Sequence, residues 1–332
     1  MKRLAIIGAG SWGTALAIVL APRFDEIRLR VYEQDLAERL VRTRENDLYL
    51  PGFRLPENVA VHTAFDRALE DAEVVLSVSP SHVTRAVFTG MLPHLDSKML
   101  FVSATKGIET KTLRRMSQVI AEVVAPRFAP RVAVLSGPTF AREVAAGEPA
   151  AVVISSPDQE LNEAIQLAFS GPTFRLYTNT DPVGVELAAA LKNVIALGAG
   201  VCNGLGLGNN TIAALITRGL AEITRLAVAS GGQPRTLAGL AGLGDLVLTC
   251  TGALSRNRQV GIELGRGREL AEIVGSMRMV AEGIQTAYAA MDLARKCGIE
   301  MPITGQVNAI LSGERSPREA IRELMERSLK GE

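Results

Sequence analysis

The first half of the chain alternates short apolar runs with longer stretches of helical periodicity. The runs occupy residues 4–7, 27–32, 59–62, 74–78, 99–103, 132–135, 150–154 and 174–177. Their length and their Val, Ile and Leu content predict strands. Strands separated by helical stretches predict a mainly parallel sheet covered on both faces. Asp181-Pro182 then breaks the pattern, because proline pushes the preceding residue out of the helical region. Beyond it Ala, Leu and Gly dominate, and apolar positions recur at helical spacing over 185–197, 212–229, 284–297 and 318–329. No strand-like alternation is evident there. The pattern predicts an α/β chain in which a doubly wound domain over residues 1–181 precedes an all-α domain over residues 182–332. A length of 332 residues leaves room for two such cores.

The first strand runs into Gly8-Ala9-Gly10-Ser11-Trp12-Gly13, which opens an apolar helix over 14–20. Strand, glycine turn and helix in that order make a Rossmann-type dinucleotide pocket, a purely structural glycine turn being the other reading. Gly8 permits the tight turn, Gly10 lets the backbone approach a pyrophosphate, and Gly13 lets the helix pack on the sheet. The phosphates sit on the helix N-terminus, where unpaired N–H groups and the dipole favour negative charge. Glu33, twenty residues beyond Gly13 at the end of the second strand, is placed to accept the adenine ribose hydroxyls.

A net charge of +1 supplies no general attraction to nucleic acid or to anionic membrane, so an anionic ligand must be met by local cations. Met-Lys-Arg followed by an apolar stretch resembles a signal peptide. Ser11, Trp12, Gly13 and Thr14 interrupt that stretch, and the glycine motif falls inside it, so the segment reads as retained and the protein as cytoplasmic. No uninterrupted apolar run is long enough to cross a bilayer, which argues against stable membrane insertion. Cys202, Cys250 and Cys297 are odd in number and widely spaced, fitting neither a disulfide framework nor a zinc site. They read as reduced and structural, and no metal site is expected.

Several polar segments stand where chemistry is expected. Ala104-Thr105-Lys106-Gly107 follows the fifth strand, so Lys106 lies at the carboxyl edge of the sheet, where open α/β sheets bind ligands. A solvated loop lysine is the other reading. Ser136-Gly137-Pro138-Thr139-Phe140-Ala141 follows the sixth strand in the same way. Gly137 allows close backbone approach, and Thr139 offers either a ligand hydroxyl or a helix cap. Lys192-Asn193 sits in a helix apolar on almost every face. Such a helix is buried, and a lysine inside it needs partners, a task, or a route for its head to solvent. Asp245 is the single acid in the apolar segment 242–249. Ser255-Arg256-Asn257-Arg258 is a compact set of donors suited to a phosphate, although such a run also serves as a helix cap with a solvated turn.

Taken in order, GAGSWGTALA (8–17), ATKGIE (104–109), SGPTFAREVAAG (136–147), VELAAALKNVIALGAG (185–200), ITRGLAE (216–222), GLGDLVLTCTG (242–252), SRNRQVG (255–261), VAEGI (280–284) and MPI (301–303) resemble bacterial NAD(P)-dependent glycerol-3-phosphate dehydrogenases over essentially the whole chain. The resemblance implies a Rossmann-type N-terminal domain followed by an all-α C-terminal domain like that of 6-phosphogluconate dehydrogenase. It implies reversible reduction of dihydroxyacetone phosphate, a small triose phosphate, to sn-glycerol 3-phosphate, the backbone precursor of glycerophospholipids. By the same motifs Lys192 resembles the proton-transfer residue, with Lys106 and Asp245 beside it in catalysis. Lys106, Gly137, Thr139, Lys192, Asp245, Ser255, Arg256 and Asn257 match positions around the substrate. Ser11, Trp12, Lys106, Ala141, Arg256, Val280 and Glu282 match cofactor contacts, which join Gly8, Gly10, Gly13, Tyr32 and Glu33. The chemistry agrees: hydride goes from the nicotinamide to the carbonyl carbon, and a cation donates a proton to the developing alkoxide.

The chain departs from the family at the end of the second strand. Bacterial members often carry Trp-Gly-Arg or Trp-Gly-His there, whereas this chain has Arg30-Val31-Tyr32 followed by Glu33. NAD(H) is therefore the expected preference, with NADP(H) still open through Arg28, Arg30 or Arg39. His82, after the fourth strand, is the rival proton donor; His62 and His94 read as solvated or capping. Two other functions stay open: a related hydroxy-acid or ketopantoate-type dehydrogenase, and a dinucleotide-sensing protein without turnover. An Ala- and Leu-rich helical domain buries its apolar surface within the chain or against a second copy, which leaves a homodimer as an expectation.

Overall fold

The computed structural model describes residues 1–277, 281–329 and 331. The chain forms two compact units, residues 1–106 with 114–186 and residues 107–113 with 187–332. Asp181-Pro182 marks a helix start. Pro182 is the first residue of the helix Pro182–Gly204, and the Asp181 carboxylate accepts the Gly184 N–H at 2.9 Å.

The first unit is built on an eight-stranded sheet in the order β3-β2-β1-β4-β5-β6-β7-β8. Its strands are β1 (Arg3–Ile7), β2 (Glu26–Arg30), β3 (Val59–His62), β4 (Val74–Ser77), β5 (Leu100–Ser103), β6 (Arg131–Ser136), β7 (Ala150–Ser155) and β8 (Phe174–Asn179). The helices between them are α1 (Ser11–Leu20), α2 (Gln34–Thr43), α3 (Phe65–Leu69), α4 (Thr84–Met91), α5 (Met116–Val124), α6 (Ala141–Ala145) and α7 (Gln159–Phe169). Strand alternation sorts β1 between two cores. Leu4 and Ile6 pack in one with Leu16, Leu20, Leu36 and Leu40, while Ala5 and Ile7 pack in the other with Phe88, Met91, Ile120 and Val124. A strand buried on both faces reads as a continuous apolar run, which is why the strands are visible in the sequence.

β1 pairs in parallel with both β2 and β4, so the order of the sheet reverses at β1 and the crevice beyond its carboxyl end is the topological switch point. One pairing departs from the parallel scheme: β6 and β7 are antiparallel. Helix α6 between them has five residues, about 7.5 Å of helix, too short to carry the chain back along a six-residue strand of roughly 20 Å.

The second unit contains helices and turns, with no β-strand among its described residues. After α8 (Pro182–Gly204) come α9 (Asn209–Ala229), α10 (Pro234–Leu237), a π-helical turn over Leu240–Gly244, α11 (Asp245–Thr251), α12 (Arg256–Gly265), α13 (Leu270–Ser276), α14 (Glu282–Cys297), α15 (Pro302–Leu311) and α16 (Pro317–Met325). α8 has 23 residues, and an 18-residue window of it has a mean hydropathy of 1.6, so by length and composition it is apolar enough to cross a bilayer, although Glu186 and Lys192 interrupt its apolar run. In the fold that window is wholly buried. α8 and α12 meet backbone to backbone. A Cβ on Gly200 would lie 2.0 Å from the Arg258 carbonyl oxygen, and one on Gly261 would lie 2.0 Å from that of Leu197. Gly204 and Gly265 continue the same seam one turn on. Neighbouring contacts put α9, α14 and α15 against α8 as well, through Gly219 on Ile195, Gly283 on the Asn193 carbonyl and Val307 on Gly198.

Candidate active site

The glycine turn after β1 has the form the motif demands. Gly8 takes a φ of +117°, and its N–H donates to the Arg30 carbonyl at 3.2 Å. A Cβ on Gly13 would lie 1.9 Å from the Gly8 carbonyl oxygen, so α1 rests directly on the turn. At Gly10, by contrast, an added Cβ would meet nothing within 4 Å. Gly10 is also the N-cap of α1 and supplies no side-chain acceptor, which leaves first-turn amides for an anion. Ser11 Oγ donates to the Tyr49 carbonyl at 2.6 Å. Trp12 packs against Phe174 at 6.5 Å, with its buried indole N–H unpartnered. These features fit a dinucleotide pyrophosphate. Asn46 was not legible as part of this site: its amide donates at 2.8 Å to both the Ala9 carbonyl and Thr14 Oγ1, bracing the turn from 32 or more residues away.

At the end of β2, Tyr32 is 79 % exposed and Glu33 accepts a hydrogen bond from the Tyr49 hydroxyl at 2.8 Å. The three arginines considered for a 2′-phosphate have other partners. Arg28 pairs with Glu26 and Glu70, and Arg39 pairs with Asp35 and Asp47. Arg30 donates to the Thr63 carbonyl and lies over the Phe65 ring at 4.4 Å and the Tyr32 ring at 5.4 Å.

Beyond β5 and β6, Lys106 Nζ donates to the Gly137 carbonyl at 3.2 Å and approaches Thr139 Oγ1 at 3.5 Å. Gly137 has a φ of +147°, and a Cβ there would lie 2.9 Å from Val152 Cα, so the turn needs glycine. Thr139 does not cap the helix that follows. Its hydroxyl donates to the Gly137 carbonyl at 3.2 Å, and Phe140 is the N-cap of α6, whose first residue is Ala141. His82 is exposed in a short turn over Ser81–Val83.

In the second unit Lys192 reaches inward. Its Nζ donates to Asp245 Oδ1 at 2.5 Å and to Thr249 Oγ1 at 2.9 Å, with the lysine and aspartate side chains only 7 % and 1 % exposed. Thr249, whose own hydroxyl donates to the Asp245 carbonyl at 2.6 Å, joins the pair, and nothing in the sequence singles it out because a threonine in an apolar helix carries no signal of its own. Taking both charges out of water is costly, and the pair persists because each has a close partner. Asp245 opens α11 directly after the π-helical turn, a backbone feature frequent at functional sites. Burial pushes the Cys250 thiol up to about 12 and the Cys202 thiol up to about 11, so neither is a nucleophile at neutral pH.

The donor run at 255–258 divides its tasks. Ser255 Oγ accepts the Arg258 N–H at 3.3 Å as the N-cap of α12, and Arg256, the first residue of that helix, is exposed. Asn257 is buried, and its Oδ1 accepts the Gly283 N–H at 3.0 Å, which leaves its amide N–H groups as the donors it can offer. Glu282 opens α14 beside it. Val280 lies outside the described residues. The first unit thus gathers Gly8, Gly10, Ser11, Trp12 and Gly13, then Tyr32 with Glu33, then Lys106 with Gly137 and Thr139. The second gathers Lys192, Asp245 and Thr249, and joins Asn257 to α14.

A switch-point glycine turn in one unit and a buried lysine–carboxylate pair in a helical other define a two-domain nicotinamide-dependent dehydrogenase. The family model described as NAD-dependent glycerol-3-phosphate dehydrogenase N-terminus matches residues 3–162, and the corresponding C-terminus model matches residues 181–322. The chain belongs to the NAD-dependent glycerol-3-phosphate dehydrogenase family. It is 60 % identical to glycerol-3-phosphate dehydrogenase [NAD(P)+] of Koribacter versatilis over 98 % of both chains. It is 52 % identical to that of Geobacter sulfurreducens over 100 % of this chain and 99 % of the other. The solved glycerol-3-phosphate dehydrogenase from Coxiella burnetii superposes with a TM-score of 0.94 at 41 % identity, covering 98 % of this chain and 99 % of that one. A ketopantoate reductase from Ralstonia eutropha shares the fold alone, at 18 % identity and a TM-score of 0.62 over 96 % of this chain and 100 % of that one.

Proposed function

We propose that the protein catalyses the reversible, NAD(P)-dependent reduction of dihydroxyacetone phosphate to sn-glycerol 3-phosphate, the backbone precursor of glycerophospholipids. The observation that carries the reading is the buried Lys192–Asp245–Thr249 cluster in a chain of this family. A bound nicotinamide supplies the hydride. The protein's own contribution is positioning and charge. Lys192 Nζ donates a proton to the substrate oxygen as the carbonyl becomes an alcohol, and in the reverse direction the neutral amine takes that proton back. Asp245 and Thr249 hold the ammonium in one orientation, so its rotamer is settled before substrate arrives. Arg256 and the Asn257 amide serve the phosphate, with Ser255 fixing the turn that presents them. Lys106, Gly137 and Thr139 are assigned to substrate at the carboxyl edge of the sheet, and Lys106 also to cofactor. Gly8, Gly10, Ser11, Trp12, Gly13 and Ala141 are assigned to the dinucleotide phosphates and nicotinamide side, Tyr32 and Glu33 to the adenine ribose, and Glu282 to cofactor.

Glu33 favours NADH over NADPH in this reading, since its carboxylate repels a 2′-phosphate and the nearby arginines are engaged elsewhere. The proposal places the enzyme in the cytoplasm, where its three cysteines stay reduced, and assigns it a homodimer, supported by Leu243, Val247 and Leu254 exposed on the helical unit. The test is NADH oxidation followed at 340 nm with dihydroxyacetone phosphate against a panel of 2-keto acids that includes ketopantoate. Steady turnover confined to the triose phosphate is expected; turnover on a keto acid alone sinks the proposal.

A further inference from the structure

Glu33 occupies the N-cap of α2 and yet does not cap it. The residue has the extended backbone of a cap, with φ −79° and ψ 120°, but its side chain accepts no hydrogen bond from α2. A carboxylate beside a helix N-terminus is attracted by the unpaired first-turn N–H groups and by the helix dipole. Here the Tyr49 hydroxyl has taken it instead, donating to Glu33 Oε1 at 2.8 Å.

Tyr49 is well anchored for this task. Its N–H donates to Asn46 Oδ1 at 3.0 Å, and its carbonyl accepts from Ser11 Oγ at 2.6 Å. Asn46 in turn braces the glycine turn through the Ala9 carbonyl and Thr14 Oγ1. One residue therefore joins the phosphate end of the dinucleotide site, through its backbone, to the ribose end, through its hydroxyl. Burial and the Glu33 carboxylate push the Tyr49 phenol up to about 12, so the hydroxyl remains a donor throughout the working pH range.

Resting on the dinucleotide reading above, we propose that Tyr49 is a positioning residue for cofactor selection: its hydroxyl holds the Glu33 carboxylate off the N-terminus of α2, in the orientation that accepts a ribose diol and repels a 2′-phosphate. Without it the carboxylate is released to swing toward the positive end of α2, where part of its charge is neutralised and its discrimination weakens.

Tyr49→Phe removes the hydroxyl and leaves both backbone contacts in place. The NADH-to-NADPH ratio of kcat/KM should fall about five- to tenfold, less than the full worth of a hydrogen bond to a charged group, because the Glu33 charge is redirected and not removed. The change should lie in the KM for NADH, with kcat at saturating NADH retained. Combining Tyr49→Phe with Glu33→Gln should lower the ratio no further than Glu33→Gln alone, since both act through one carboxylate. An unchanged ratio, equal losses with both dinucleotides, or additive effects in the double variant would overturn the proposal. Fluorescence titration with NADH and NADPH separates it from the catalytic reading: a wild type that binds NADH tightly but does not turn over triose phosphate leaves the ratio of dissociation constants as the readout, with the same expected fall in Tyr49→Phe.

Discussion

Gly10 of the first unit and the glycines between α8 and α12 of the second use the same residue for opposite ends. In the first, a Cβ on Gly10 would meet open space, so the missing side chain leaves room for a ligand. In the helical unit the missing side chains of Gly200, Gly204, Gly261 and Gly265 leave room for protein, with carbonyl oxygens 2.0 to 2.5 Å from where their Cβ atoms would stand. The polar groups divide likewise. The first unit offers backbone amides and loop side chains at the edge of a sheet, whereas the second buries a charge pair between helices. Binding a dinucleotide asks for space and free N–H groups; moving a proton asks for a cation held still and away from water. A glycine or a lysine therefore acquires its meaning from what surrounds it.

The largest expected effect tests that division of labour. Lys192→Ala should lower kcat by about 10²- to 10⁴-fold while NADH affinity, measured by fluorescence titration, stays near the wild-type value. Removing one partner of a buried pair also destabilises by about 3 to 5 kcal/mol, so the thermal midpoint should drop in parallel. Adding Asp245→Asn should recover part of that stability and none of the activity. Recovered activity would show that the proton comes from elsewhere, His82 being the next candidate.

Next comes Arg256→Ala, expected to lower kcat/KM for dihydroxyacetone phosphate by roughly ten- to a hundredfold, the worth of a charged hydrogen bond of about 1.5 to 3 kcal/mol. Unphosphorylated dihydroxyacetone at high concentration should lose far less. Equal losses on both would assign Arg256 to the cofactor or the fold.

A paired glycine experiment sharpens the comparison itself. Gly261→Ala should destabilise the protein by about 1 to 3 kcal/mol, as overpacking does, because α8 and α12 must part to admit the methyl group. Gly10→Ala should leave the urea midpoint nearly unchanged and weaken NADH about tenfold or more, since the methyl group takes ligand space. Were Gly10→Ala the more destabilising of the two, the contrast between ligand space and helix contact would be wrong.

The smallest effect is a pH dependence in the helical unit. Glu222 is buried and accepts the Ile303 and Thr304 N–H groups at 2.6 and 3.1 Å at the start of α15, and its burial outweighs those bonds to raise the carboxyl above its ordinary range. The native state then holds this proton more tightly than the unfolded chain. Its contribution to stability is full below the ordinary carboxylate range and is lost as pH rises through the raised native value. Glu222→Gln should flatten that slope in urea midpoints measured from acid to neutral pH; an identical slope would place the titrating group elsewhere.

The strands were legible because each is a local apolar run, and the glycine turn because its strand, loop and helix are contiguous. The antiparallel β6–β7 pairing was not legible, since it depends on α6 being five residues long and not on the character of either strand. Nor were Asn46, Tyr49 and Thr249, polar residues that each have a partner distant in sequence. Thr249 meets a lysine 57 positions away, and Tyr49 a carboxylate 16 positions away. Asn257 carried a signal as a donor, but its oxygen proved to be committed to the start of α14.

By itself the sequence determined the alternation of strands and helices, the glycine turn after the first strand and the presence of a lysine within an apolar helix, because periodicity, glycine placement and the cost of a buried charge are properties of short segments. The tertiary structure alone decided which groups that lysine meets, which arginines near the end of β2 are paired with other groups, and which glycines face open space or another helix. Those outcomes depend on distances between segments that no local pattern encodes. A hydrogen bond or a close backbone contact lives or dies within a few tenths of an ångström, and only the packed chain sets that separation.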